Sequence, residues 1–479
     1  MGDAMDMDGQ GGGGESKQNA MIHVNNLTYT LDPDLSVAVN NTHKNHFFQQ
    51  QTYTDAQRAI CILNSGADYI DTTRSFLSFR VAATCATADR AAWFGENGSA
   101  LNLINRITIS SRSGDELSRV RSLNLLAASR LPYQMDKAWA RTTGEMAGYG
   151  KQFACSAGAP AAGDGLVVNI PLYLLSDFFG YNRLMPAMLM SGLRVEIEWE
   201  APNVAFTTLD VAAGSTGVPT FGTFADAPNS GYVLQRKSVV NTAITSYQID
   251  NIFISAKSVQ LTDATQRALN EMSAVNGLEI VYTDWETTQL DVNANSINME
   301  VRKASSRALA ALLRSRPAYG DATQATLYTN PIAESFASEA WDINQYQWQL
   351  GSLYFPQQPI KTRTGAAAGA CPESYAHALD CFDKLQPNSR PPMCRLYADA
   401  TSGTNTLMYE RHAFNDAAST LGVTLERSSL FQLSGIPINN SRVLSFQGQF
   451  ANSRNRNVTI FLKYVKLARV FLNNVEVEM

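Results

Sequence analysis

From Cys61 to the carboxyl end, apolar and polar residues alternate along the chain. Leu77, Phe79 and Val81 interleave with Ser78 and Arg80, the two-residue period of a strand with one buried and one wet face. Leu193, Val195, Ile197 and Trp199 interleave with Arg194, Glu196, Glu198 and Glu200. This cleanest of the patterns predicts a half-buried strand with the four apolar side chains on the core and the acidic row on a solvated or interface face. Leu278, Ile280 and Tyr282 against Glu279 and Thr283 predict another strand. Residues 458–472 are apolar on both faces, as in a strand buried between layers. Ile252, Ile254 and Ala256 share one parity while Val259 and Leu261 share the other, which predicts a bulge between them.

Helical signals are short. Residues 171–179 before Gly180, 307–314 before Pro317 and 373–385 after Pro372 each hold two or three turns with a stop signal nearby, and read as connections between strands. Residues 201–230, rich in Gly, Ala and Thr and containing Pro202, Pro219 and Pro228, have no period and read as an external loop or a domain junction. Residues 1–46, with a glycine run from Gly9 to Gly14 broken by Gln10, have too little apolar content to offset their ordering entropy. They are a flexible tail or an arm that orders only against a neighbour.

Many strands and few helices predict an all-β sandwich or jelly-roll architecture. A single core stops growing at about 250–300 residues, so the 479 residues ask for two domains. No repeat is visible in residue identity, so any duplication must be structural.

Composition narrows the function. Hydrophobic residues make up 45% of the chain, enough for a sizeable core. Lys and Arg total 38 against 43 Asp and Glu, and charged residues are only 17%, below the usual figure of about 25%. Polyelectrolyte binding is thereby disfavoured as the main task. No run of about 18 apolar residues occurs, and the acidic, Gly-rich start is unlike a signal peptide. The six cysteines (Cys61, Cys85, Cys155, Cys371, Cys381, Cys394) are scattered without zinc-site spacing and read as reduced thiols. The sequons at Asn26, Asn40, Asn97, Asn439 and Asn457 carry no weight without a secretory route.

A search for chemistry returns little. The nucleophile elbow, the phosphate loop, the dinucleotide fingerprint and the zincin motif are all absent. His23, His43 and His46 lie in the polar amino-terminal stretch, and His412 stands alone. His43 and His46 are spaced like two metal ligands but have no carboxylate or thiol beside them. His377 and Cys381 share a helical face, which reads as packing. Asp115 with Glu116, Asp284 with Glu286, and the Glu196, Glu198 and Glu200 row are the carboxylate pairs a glycoside hydrolase would need, although a solvated face explains the row. Arg112, Arg119, Arg121 and Arg130 lack interleaved aromatics and read as local ion pairing rather than nucleic-acid contacts. No catalytic, cofactor-binding or metal-ligating residue is expected, and no cofactor.

Several blocks in order carry a resemblance. They are Asp68-Tyr-Ile-Asp71 through Leu77-Ser-Phe-Arg-Val81; Asn97 through Arg106 into Ile107 to Leu117 with its tip at Gly114; and Asn169-Ile-Pro-Leu172, Phe178-Phe179, Leu184-Met-Pro186 and Leu193 to Trp199. Tyr247 to Ile252, Tyr354 to Ile360 and Phe461 to Val477 follow. In this order and spacing the chain resembles the double jelly-roll major capsid proteins of tailless icosahedral double-stranded DNA viruses, and most of all their polinton-like and virophage members. The resemblance covers most of residues 60–479.

The resemblance implies two consecutive eight-stranded jelly rolls with short helices in the connections. It divides the chain into a flexible arm (1–46), a first roll (47–235) ending in the strand 193–199, and a second roll (236–479) opened by 247–252. It implies a pseudo-hexameric homotrimer that tiles a virion shell around a double-stranded DNA genome. Partners would be neighbouring trimers with penton and minor or cement proteins, without specific nucleic-acid binding; contact with an inner membrane stays open. Synthesis and assembly would take place in the host cytoplasm or nucleus, with no enzymatic reaction. A chain without very long insertions is at odds with large external towers. Low charge with many amides and hydroxyls suits a surface that is mostly interface. A β-sandwich carbohydrate-binding or adhesin protein shares that composition, and a β-rich hydrolase would need a catalytic carboxylate.

Overall fold

The computed structural model describes residues 38–85, 90–94, 98–156, 165–210, 244–275, 277–317, 338, 343–362, 371–386, 389–394, 396, 418–427, 433–471 and 475–478. Five antiparallel sheets account for its strands. The first has the order β1 (Ala38–Phe47), β12 (Ile244–Leu261), β4 (Tyr69–Cys85), β9 (Leu166–Pro171), with β2 (Thr52–Thr54) also on β12. The second runs β3 (Arg58–Ile62), β10 (Arg194–Trp199), β6 (Ile104–Ser110), β7 (Glu116–Arg121). A small third sheet joins β11 (Thr207–Asp210), β5 (Arg90–Trp93) and β8 (Gln152–Ala154). The fourth runs β13 (Leu278–Val292), β21 (Arg456–Val470), β15 (Ser305–Pro317), β18 (Leu421–Thr424), with β19 (Ile436–Ile438) on β15 and β22 (Val475–Glu478) on β21. The fifth runs β14 (Ser296–Val301), β20 (Leu444–Phe450), β16 (Ile343–Leu350), β17 (Leu353–Lys361).

The duplication that residue identity hides is plain in this order. Setting aside β2, β5, β8 and β11, the first two sheets hold eight strands, and numbering these one to eight gives the orders 1-8-3-6 and 2-7-4-5. Setting aside β19 and β22, the fourth and fifth sheets give the same two orders. Each half is therefore an eight-stranded jelly roll, two sheets packed face to face. Alternation builds both cores. Val195, Ile197 and Trp199 of β10 are buried, with Trp199 edge-on to Phe79 across the sandwich at 5.6 Å. In the second roll Ile297, Met299 and Val301 of β14 point inward while Ser296, Asn298 and Glu300 face water. Trp348 of β16 meets Phe446 of β20 at 5.0 Å.

Several expectations hold. Of the apolar stretch 458–472, residues 458–470 lie in β21, most of them buried, while 472 falls outside the described residues; the register of β12 against β4 shifts between Ser255 and Lys257, beside the parity change that predicted a bulge. A helix spans Pro372–Asp380. Residues 171–179 divide into one helical turn at Leu172–Leu175 and a 3-10 turn at Asp177–Gly180.

Other expectations are corrected. Residues 307–314 are strand, not helix. Ala, Leu and Arg favour helix locally, but β15 lies inside the fourth sheet between β21 and β18, and residues 308–315 are all buried, so tertiary burial outweighs propensity. β10 is the seventh strand of the first roll, not its last. The last is β12, placed by the sequence reading at the opening of the second roll, yet paired with β4 and β1. The first roll thus runs to Leu261 rather than to 235, and the helix Asp263–Val275 connects it to β13. A composition break marks any long loop; of 201–230 the described part follows strand seven with a helical turn at Pro202–Ala205 and β11, and residues 211–243 lie outside the described residues. Residues 38–46 of the expected arm form most of β1, an edge strand with little buried surface held by its ladder to β12. Residues 1–37 lie outside the described residues. The helices Leu123–Gln134 and Asp263–Val275 went unread, the first because it is buried from Leu123 to Tyr133 and so lacks a polar stripe.

Candidate functional site: the seam between the rolls and the faces they present

The strand β13 begins with Ile280, Tyr282 and Asp284 on one side, and this side faces the first roll rather than water. Ile280, Tyr282, Ala468 and Val470 join the apolar cluster of the first roll, so the two cores are continuous. Polar groups lock this contact. Asp284, 1% exposed, pairs with Lys466 of β21, 4% exposed, at 2.8 Å. Ser118 of β7 donates to Asp284 Oδ1 at 2.8 Å, and Lys466 Nζ donates to the Leu117 carbonyl at 3.1 Å. Tyr282 Oη donates to the same carbonyl at 2.6 Å, with its ring edge-on to Phe178 at 5.1 Å.

A second carboxylate works in the opposite direction, from the first roll toward the second. Asp177 accepts from Arg130 Nη1 at 2.8 Å, and from Thr283 Oγ1 and Trp285 Nε1 of β13 at 2.9 Å each. Arg130 Nη2 also caps the Leu174 carbonyl at 2.6 Å. Beyond it the buried helix Leu123–Gln134 enters the second roll, where Tyr133 donates to the Ala418 carbonyl at 2.8 Å and stacks on Phe382 at 5.8 Å.

The two carboxylates differ electrostatically. Burial pushes the Asp284 carboxyl up, and Lys466 with its hydrogen-bonding neighbours only partly offsets this. Burial acts on Asp177 in the same sense, but the charges of Arg130 and Lys463 and the bonds from Thr283 and Trp285 outweigh it and hold the carboxyl below its ordinary value. Both have the surroundings of structural ion pairs that keep polar groups satisfied inside a junction.

The solvent faces of the second and fifth sheets contrast. On the former, Glu196 lies between Arg58 and Arg194, Glu198 pairs with Arg106 at 2.6 Å, and Glu116 pairs with Arg119. On the latter the two central strands, β20 and β16, carry amides: Gln345 Nε2 donates to Gln449 Oε1 at 3.1 Å, Gln447 Nε2 to Gln349 Oε1 at 2.7 Å, and Gln347 Nε2 to the Pro356 carbonyl at 2.9 Å.

The residues singled out from sequence fall into place individually. Glu196 is 8% exposed rather than solvated, because the two arginines close over it. Glu200 accepts from Asn124 at 2.8 Å, so the acidic row makes three separate contacts and no catalytic pair. Glu286 pairs with Lys303, away from Asp284, and Asp115 is held by Ser111 and Ser113. Arg119 makes the local ion pair expected of it, with Glu116, whereas Arg130 pairs with the distant Asp177. His43 contacts Ser255 and His46 accepts from the Asn64 amide, while burial and then Lys44 lower the His46 pKa. His377 and Cys381 share a helical turn, and Cys381 packs under Gly422, where any side chain would collide with its sulfur. Among the described residues no cluster of three or more metal-ligating side chains occurs, and no helix is long and apolar enough to cross a membrane. Sequence reasoning missed Asp177 and Lys466. A lysine inside a strand apolar on both faces was the available signal for the second; nothing local marks the first.

No family model and no curated protein matches the sequence. Solved structures do match across nearly its whole length. PBCV-1 VP54, as fitted into a reconstruction of the virophage Sputnik, superposes with a TM-score of 0.54 over 94% of this chain and 100% of its own, at 9% identity. The faustovirus major capsid protein gives 0.55 over 94% of each chain at 8% identity. The Sputnik virophage structure gives 0.52 over 94% of this chain and 91% of its own, at 9% identity. At such identity the likeness speaks to fold, and it agrees with the strand orders found independently in the two halves: the chain has the double jelly-roll fold of these major capsid proteins.

Proposed function

We propose that this chain is a major capsid protein, three copies of which form a pseudo-hexagonal block that tiles an icosahedral shell around a double-stranded DNA genome. The observation that carries the reading is the doubling itself: two rolls of one strand order, joined by a buried polar seam. A chain so built delivers two rolls as one unit, and three chains place six rolls around a threefold axis. The structural neighbours named as capsid proteins support it. Its partners are then neighbouring trimers with penton and minor or cement proteins, its place is the virion, and it has no reaction to catalyse. The polar stretch ahead of Ala38 is, by composition, the segment we assign to contacts between blocks. Separated carboxylates disfavour the hydrolase reading, and the fold disfavours an adhesin.

Solution mass and electron microscopy of the purified chain test the proposal. A stable trimer that forms hexagonal plates or closed shells supports it, because an obligate interface of upwards of about 2,000 Å² survives dilution. A monomer at micromolar concentration that binds glycans overturns it.

A further inference from the structure

At the far end of the first roll, β4 stops at Cys85, and Cys155 directly follows β8 of the small third sheet. The two segments are fastened by a parallel bridge between Thr84 and Ser156, in which the Cys85 amide donates to the Ser156 carbonyl at 3.0 Å and the Ser156 amide to the Ala83 carbonyl at 3.1 Å. The cysteines flank this bridge, Cys85 just after Thr84 and Cys155 just before Ser156, and each thiol lies near enough to act on the other. The other cysteines have different surroundings: Cys61 points at the His46 and Phe47 carbonyls, Cys371 at the Lys361 carbonyl, and Cys394 at Tyr133.

We propose that Cys85 and Cys155 are a redox clasp: on exposure to a small-molecule disulfide they close a bond that ties the first sheet to the third. The chemistry is two successive exchanges. The Cys155 thiolate, partly exposed where Cys85 is buried, attacks glutathione disulfide and releases one glutathione thiolate. The Cys85 thiolate then attacks the Cys155 sulfur of the mixed disulfide and expels the second glutathione. Two protein thiols are oxidised, one glutathione disulfide is reduced to two glutathione molecules, and the two protons pass to the departing thiolates. The neighbouring sulfur and burial push the Cys155 thiol up, so little thiolate is present at neutral pH and closure is slow. A slow clasp suits a protein made in a reducing compartment and exposed for long periods outside it. The bond would close the loop between residues 85 and 155, about a third of the first roll, and so restrict the unfolded chain. The inference does not depend on the capsid reading.

The test is incubation of the full chain with glutathione disulfide, followed by denaturing thiol counting and peptide mapping without reductant. The expected result is a loss of two titratable thiols of the six cysteines, one cross-linked peptide joining Cys85 to Cys155, and a melting temperature a few degrees higher that reductant restores. Cys155→Ser, at a partly exposed position, should abolish both the cross-link and the shift; should it fail to fold, the comparison of oxidised and reduced wild-type protein still decides. Retention of all six thiols after prolonged oxidation at mildly alkaline pH overturns the proposal, as do cross-links scattered among the other cysteines.

Discussion

The two rolls share one strand order but not one kind of surface. The second sheet of the first roll covers its core with arginine–carboxylate pairs, whereas the central strands of the equivalent fifth sheet carry glutamines bonded to one another. The buried sides are alike in character, each built on alternating aliphatics and a tryptophan, Trp199 in one and Trp348 in the other. Topology follows from which residues leave water, since burial is worth about 1.5–3 kcal/mol per large apolar side chain, while exposed polar pairs contribute well under 1 kcal/mol. Outer faces can therefore diverge while the fold stays the same, and each roll is free to present different chemistry to a neighbour.

The largest effect expected is at the seam that makes the comparison possible. Lys466→Met leaves the Asp284 charge buried without its partner and should cost about 3–5 kcal/mol at neutral pH. Denaturant unfolding measures it. Combining it with Asp284→Leu should recover much of the loss, and a double variant as unstable as the single one would mean the seam stabilises by more than charge pairing.

Next come the two tryptophans. Trp199→Ala and Trp348→Ala should each cost about 3–5 kcal/mol, as truncated buried aromatics do. Calorimetry then asks whether the rolls are one cooperative unit. With the seam intact, either variant should lower a single transition; two separated transitions would show that the rolls melt independently.

Acid should separate the two seam carboxylates. Asp177 has a lowered folded pKa, so its stabilisation is present above the unfolded value, about 3.9, and is lost as pH falls through the folded value. Asp284 has a raised folded pKa, so keeping it ionised costs stability above the unfolded value and acidification relieves that cost. Asp177→Asn should be less stable than wild type at pH 7, with a gap that narrows below about pH 4; a gap independent of pH would show that hydrogen bonding alone, not charge, matters there. The deficit of Lys466→Met should likewise shrink toward acid as Asp284 takes up a proton.

The smallest effects are on the outer faces. Glu198→Gln should cost under about 1 kcal/mol and lose even that in high salt, because the Arg106 pair is half-exposed. Gln447→Ala should cost a similar amount at any ionic strength. Equal salt dependence in the two variants would erase the distinction between the faces.

The sequence by itself determined the all-β class, the core face of β10, the doubly buried β21, the bulge in β12 and the family resemblance. Each is written in residues close together, where a period of two is legible as burial. Tertiary structure decided what depends on distant partners. Residues 307–314 read as helix and became β15, because only the flanking β21 and β18 bury them on both sides. β12 joined the first roll because its ladder partners, β1 and β4, precede it by more than a hundred residues. Asp177, an unremarkable turn residue, became a seam anchor only when the second roll brought Thr283 and Trp285 against it. Local sequence encodes which face of a segment leaves water; which segment covers that face is settled by the three-dimensional closure of the chain.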